Sequence, residues 1–146
     1  MGRTKHPKYP KIGVIFELTL DGDAPENQPM TMFESNGYIT KGWWHNGVVV
    51  AGKQTHIFKL FQWKGDWDKI GDKIGDNNPP GQWRNAFLST FPEPDDKCPI
   101  GVHDASWHSL HGRSFPGIDL YGEPTFFRTN QITPFSPWRW LIFAKS

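Results

Sequence analysis

The sequence predicts a mainly β domain, a small barrel or sandwich with α+β as the alternative, carrying one or two short helices. Three observations lead there. Short apolar runs with a period of two recur along the chain, the mark of half-buried strands. Clusters of Gly, Pro, Asn and Asp separate those runs at turn-like intervals. The 13 Pro and 15 Gly among 146 residues leave little room for long helices. A chain of this length is expected to form one domain with a core of its own.

Taken in order, residues 1–11 (MGRTKHPKYPK) are a basic arm, with Arg3, Lys5, Lys8 and Lys11 set around Pro7 and Pro10. Proline denies this arm a helix and favours an extended path. Residues 12–146 form the single β-rich domain. In KIGVIFELTL, Ile12, Val14, Phe16, Leu18 and Leu20 alternate with Gly13, Ile15, Glu17 and Thr19, which predicts a strand over 12–20. DGDAPENQP breaks it. MTMFES reads as a second strand with Met30 and Met32 on one face, and Asn36-Gly37 signals a hairpin turn. YITKGWW and NGVVVAG follow, the Val48-Val49-Val50 run suiting a strand buried on both faces. THIFKLFQW has apolar residues on both sides and is expected to be central.

The middle of the chain, GDWDKIGDKIGDNNPPG, contains DKIG twice and reads as a solvated acidic loop. Asp66, Asp68, Asp72 and Asp76 do not follow the calcium-loop pattern, and Lys69 and Lys73 offset their charge. QWRNAFLSTF predicts a short helix with Trp83, Ala86, Phe87 and Thr90 on one face, ended by PEPDDKCP. IDLYGEPTFFRTNQI is a hairpin around Gly122. In WRWLIFAKS, the last strand, Trp138, Trp140, Ile142 and Ala144 alternate with Arg139, Leu141, Phe143 and Lys145. The expected core comprises Ile12, Val14, Phe16, Leu18, Val48, Val50, Phe58, Leu60, Trp140 and Ile142.

Composition excludes some functions. Lys and Arg number 16 against 15 Asp and Glu, a balance that argues against a general nucleic-acid binder. The one cysteine, Cys98, cannot close an intrachain disulfide. The N-terminal sequence lacks the apolar stretch of a secretory signal and does not fit the myristoylation pattern. No apolar run approaches the roughly 20 residues of a membrane helix. The sequence assigns no compartment; it is compatible with cytoplasmic synthesis, and incorporation into a particle is one route from there.

The stretch VHDASWHSLHGRSFPGID holds three of the six histidines. As a helix, DASWHSLH would set Asp104, His108 and His111 at i, i+4 and i+7, a set able to hold a divalent metal. The same letters also make a plain capped helix, with Asp104 at its start, Gly112 past its end, and Trp107 and Leu110 turned inward. The capped helix is the preferred reading, and no metal or other cofactor is expected. The zinc D-Ala-D-Ala carboxypeptidase pattern S-x-H-x-x-G-x-A-x-D is met only at Ser106 and His108, with His111 where the Gly belongs. The L,D-transpeptidase pattern S-H-G-C would need a cysteine where Arg113 stands.

KGWWHNGVVVAGKQTHIFKL resembles the histidine strand of the permuted papain-like hydrolases, the PPPDE and lecithin-retinol-acyltransferase-like group, through His45, Gly47, Val48, Val50 and Gly52. The similarity spans residues 38–61. It implies a cysteine hydrolase with Cys98 as nucleophile and His45 as its base. Around Cys98 the chain departs from the group: Lys97 precedes it and Pro99 and Gly101 follow, where the group has Asn-Cys and an apolar helix. His45 equally suits a structural place at a strand end, and a lone cysteine in a β-rich domain is commonly buried and inert.

Eight Trp and 11 Phe exceed what a core of this size requires. Trp43 and Trp44 are adjacent and must point to opposite faces of a strand. Trp67 lies near a loop, and Trp138 shares a face with Trp140. With Arg3, Lys5 and Lys8, the residues Trp43, Trp44, Trp67 and Trp138 are the candidate binding residues. The expected function is that of a non-enzymatic structural or interaction protein. It would dock through its arm and exposed aromatics onto other protein subunits, homo- or hetero-oligomeric, in a larger assembly, of which a viral or phage particle is one setting. The alternatives are the Cys98–His45 hydrolase and, third, a carbohydrate-binding domain.

Overall fold

A computed structural model of the chain describes residues 9–35, 42–93, 98–109, 112–132 and 138–144. Eight strands form one mixed sheet: β1 (Phe16–Asp21), β2 (Trp44–His45), β3 (Lys53–Trp63), β4 (Ile100–Gly101), β5 (Trp107–Ser109), β6 (Gly112–Ile118), β7 (Pro124–Arg128) and β8 (Trp138–Phe143). Their order is β1-β3-β8-β4-β6-β5-β2, with β7 also paired to β6. Three short helices accompany them: α1 (Pro29–Ser35), α2 (Trp67–Ile74) and α3 (Trp83–Thr90). The mainly β expectation holds.

The strands with the clearest alternation form as predicted. β3 is central, antiparallel to β1 (Phe16 opposite Phe58) and to β8 (Phe61 opposite Trp140). Among the described residues the one parallel pairing joins β8 to β4 (Ile100 beside Arg139). β6 and β7 make the hairpin around Gly122, its turn held by the Asp119 carboxylate, which accepts the backbone N–H groups of Tyr121 and Glu123. β4 and β5 pair with successive stretches of β6, and β7 lies along the opposite edge.

Alternation on the central strands makes two cores. Phe58 and Leu60 of β3 and Leu141 of β8 join Leu18, Leu20, Ile100, Val102 and Ile118 on the face covered by α3, through Trp83, Ala86 and Phe87. Trp138, Trp140 and Ile142 of β8 join Phe115 on the other face, covered by α2 through Trp67, Ile70 and Ile74. A third cluster sets Met32 and Phe33 of α1 against Trp107 and Phe126. Arg84 of α3 is fully buried. It donates to the Gly117 and Thr125 carbonyls and to the Asn85 side chain, fastening α3 to β6 and β7. Gln82, also fully buried, accepts the Val50 N–H and donates to the Asn27 carbonyl, tying three loops together.

Several expectations are corrected. MTMFES is helical, not a strand. Pro29 opens α1 with φ already set, and Pro29, Met32 and Phe33 are buried at i, i+3 and i+4, a helical spacing. The DKIG repeat is α2, not a loop. Its four-residue period puts Ile70 and Ile74 one turn apart on the buried face, and Lys73 rests over the Trp63 ring at 4.9 Å. The two repeat glycines differ in role. A Cβ on Gly71 would lie 3.2 Å from the His103 ring, whereas Gly75, at φ +54°, ends the helix.

Residues 12–15 leave the strand. Gly13 adopts φ +82° within a turn closed by Val14 N–H to Lys11 C=O, and its own N–H bonds Leu60 C=O. The turn breaks the alternation, so Ile12, Val14 and Ile15 stand 41, 51 and 66 % exposed. Val48 and Val49 are exposed as well; only Val50 of that run reaches the core. Of the arm, Tyr9 packs edge-on against Phe87. Arg3, Lys5, Lys8 and the Asn36-Gly37 turn lie outside the described residues.

These packings predict a contrast in stability. Trp140→Ala should cost about 3–5 kcal/mol in urea unfolding, whereas Val14→Ala should stay within about 0.5 kcal/mol.

Candidate functional site

The segment read as a capped helix is a loop followed by β5. Asp104 does cap, but it caps a turn: its Oδ1 accepts the Ser106 N–H at 3.1 Å. Its Oδ2 accepts the Gly81 N–H at 2.7 Å and the Trp107 indole N–H at 2.9 Å. These bonds leave β5 free to pair with β6 on one side and β2 on the other. Trp107 is thereby buried and His108 faces outward.

Through β2, two more residues arrive. His45 lies over Trp107 with ring centroids 4.4 Å apart. Trp44, opposite His108 in the register, stacks on it at 4.0 Å and 14°. The His108 Nε2 is 3.2 Å from the Asn46 side-chain oxygen. On the other side of the segment, His103 stacks on Trp67 at 3.8 Å, its Nε2 2.8 Å from the Trp67 carbonyl.

Trp44 and His108 line a cleft of about 510 Å³. Asp66, Trp67 and Asp68 reach it from the start of α2, Ser109, Gly112 and Arg113 from the β5–β6 hairpin, and Thr129, Asn130 and Ile132 from the 3-10 turn after β7. The lining is scattered over four stretches of the chain, so sequence reasoning had no signal for Arg113, Thr129 or Asn130. Of this lining, Trp44 and Trp67 were candidate binding residues and His108 a candidate metal ligand.

The other candidates have clear places. Trp138 is buried in the aromatic core, and Trp67 is 6 % exposed, packed on Phe115. Neither is an exposed docking aromatic, because each lies on the inward face of its element. Trp43 is partly buried against Phe33 at 5.1 Å. Of the four tryptophans, only Trp44 offers a substantial surface, at 49 % exposure.

Cys98 and His45 are not brought together. Ile100 and Trp107 pair with Ile118 and Ser114, four residues apart on β6, which is about 13 Å at strand rise. Cys98 lies beyond Ile100, buried, with its sulfur 3.9 Å from the Gln62 amide, while His45 sits across from Trp107. The helical metal triad does not form either: the carboxylate of Asp104 holds three N–H donors, His108 belongs to a strand, and His111 lies outside the described residues. Among the described residues no group of three His, Cys, Asp or Glu is placed to hold a metal. Among them, too, no helix is long and apolar enough to cross a membrane.

No family of known proteins, no curated protein and no solved structure matches this chain.

Burial lowers all three imidazoles below the ordinary histidine range. Asp104 opposes the shift in each; the Trp67 carbonyl also opposes it at His103, and Arg113 adds to it at His108. A histidine whose folded pKa lies below its unfolded value of about 6.5 stabilises the fold above that pH. The unfolded chain takes up the proton first, so stability falls as the pH drops through the folded pKa. The melting temperature should therefore decline as the pH is lowered from about 6.5 towards 5. His103→Gln, which keeps a donor for the Trp67 carbonyl, should make that decline shallower. Buried Cys98 should react slowly with iodoacetamide in the folded protein and readily in guanidinium; a fast-reacting native thiol would contradict its placement.

Proposed function

We propose that this chain is a non-enzymatic interaction protein, a β-rich subunit that assembles with further copies of itself through its N-terminal arm and the surface that follows it. The observation that carries the reading is the exposed strip of Ile12, Val14 and Ile15 directly after the basic arm. Three large aliphatic residues within four positions stand exposed here, and exposed apolar surface of this kind is what a contact surface uses.

The neighbouring sheet supports this. β1 ends the sheet, and among the described residues it pairs with β3 alone. Its outward face, Glu17 and Thr19 with Thr55 and Ile57 of β3 beside them, is uncovered. An end strand is a ready template for another extended chain. Glu17, Asp21 and Asp23 are exposed along it, and the arm carries Arg3, Lys5, Lys8 and Lys11, so one copy supplies the cations and the next the carboxylates. The separation of Cys98 from His45 gives the hydrolase alternative no support.

Sedimentation equilibrium tests the reading. The full chain should self-associate, and the association should weaken at high salt as the charge pairs are screened. Deleting residues 2–10, or replacing Ile15 by Asp, should yield a monomer with an unchanged circular dichroism spectrum. A full chain that stays monomeric at every concentration, or a truncated one that associates as well as the full chain, would refute it.

A further inference from the structure

We propose that the cleft beside Trp44 binds a neutral carbohydrate, an oligosaccharide whose pyranose ring stacks on the Trp44 indole. This site is separate from the β1 surface and does not rest on the assembly reading.

The aromatic platform comes first. Trp44 is half exposed, and His108 lies flat against it, holding the ring in one orientation. An indole fixed in this way offers an apolar face with little conformational entropy left to lose. The apolar C–H face of a pyranose fits such a surface. The cleft, at about 510 Å³, falls within the size range of small-ligand sites.

The polar lining selects among ligands. Asp66 and Asp68 supply acceptors, Arg113 supplies donors, and Thr129 and Asn130 supply both. Asp66, Asp68 and Arg113 are all solvent-exposed where they line the cleft. An anion would meet two carboxylates against one guanidinium. A cation would meet the two carboxylates but also the like charge of Arg113, so no single ion finds only opposite charge here. A hydroxyl both donates and accepts, so a polyol satisfies carboxylates and guanidinium together without bringing in a charge.

Isothermal titration of the full chain with cellohexaose, xylohexaose, mannohexaose, maltohexaose and the hexamer of N-acetylglucosamine tests the proposal. At least one should bind at micromolar to millimolar concentration. Trp44→Ala should weaken it at least about tenfold, Arg113→Ala and Asp68→Asn should each weaken it measurably, and Trp44→Phe should retain most of it. Arg113 and Asp68 are exposed, so their variants test the site even where Trp44→Ala disturbs the fold. The variant lacking residues 2–10 should bind as the full chain does. Failure of all five sugars to bind at millimolar concentration overturns the proposal. So does binding unaffected by Trp44→Ala, Arg113→Ala and Asp68→Asn alike.

Discussion

The sheet is continuous only because its last strand is inserted at its middle. β8 joins β3 on one side and β4 on the other, so the N-terminal pair β1-β3 and the C-terminal group β4-β6-β5-β2 become one sheet through it. Its two faces serve different cores: Leu141 enters the layer under α3, while Trp138, Trp140 and Ile142 enter the layer under α2. This one strand therefore contributes to the layers that both helices cover. The pairings are long-range in sequence, so most of the chain must be present before they can form.

A second constraint is the Asp104 carboxylate. Its hydrogen bonds to Gly81, Ser106 and Trp107 fix the loop before α3 against the start of β5. That fixes the direction of β5 and, through the register of Trp44 with His108, the position of β2. The Trp44–His108 stack that forms one wall of the cleft is thus set by a carboxylate that does not itself line it. Burying a carboxylate is costly unless its acceptor sites are filled, and three N–H donors fill them here.

The two surfaces of interest lie on different parts of the sheet. The apolar strip of residues 12–15 leads into β1, at one end, while Trp44 belongs to β2, at the other. Residues 12–15 and the lining of the cleft have no residue in common. The strip exists because Gly13 turns the chain before β1 begins; the cleft exists because β2, β6, α2 and the turn after β7 converge.

The sequence by itself determined β3 and β8, which carry apolar residues on both faces, the turn of the β6–β7 hairpin, and the helix α3, whose Trp83, Ala86 and Phe87 recur at helical spacing. In these, local pattern and burial agree. Tertiary structure decided the rest. MTMFES suits a strand or a helix, and the choice fell to the pocket formed by Trp107 and Phe126, which takes Met32 and Phe33 together. DKIGDKIG reads as polar until a partner for Ile70 and Ile74 exists, which β8 and β6 provide. DASWHSLH has helix-like ends, but Trp107 gains more by entering a sheet in which its indole N–H meets Asp104. No pattern in the chain joins Trp44 to Arg113, Asp68 and Asn130. Their meeting is set by strand order, and strand order follows from which apolar faces fit together rather than from any local preference.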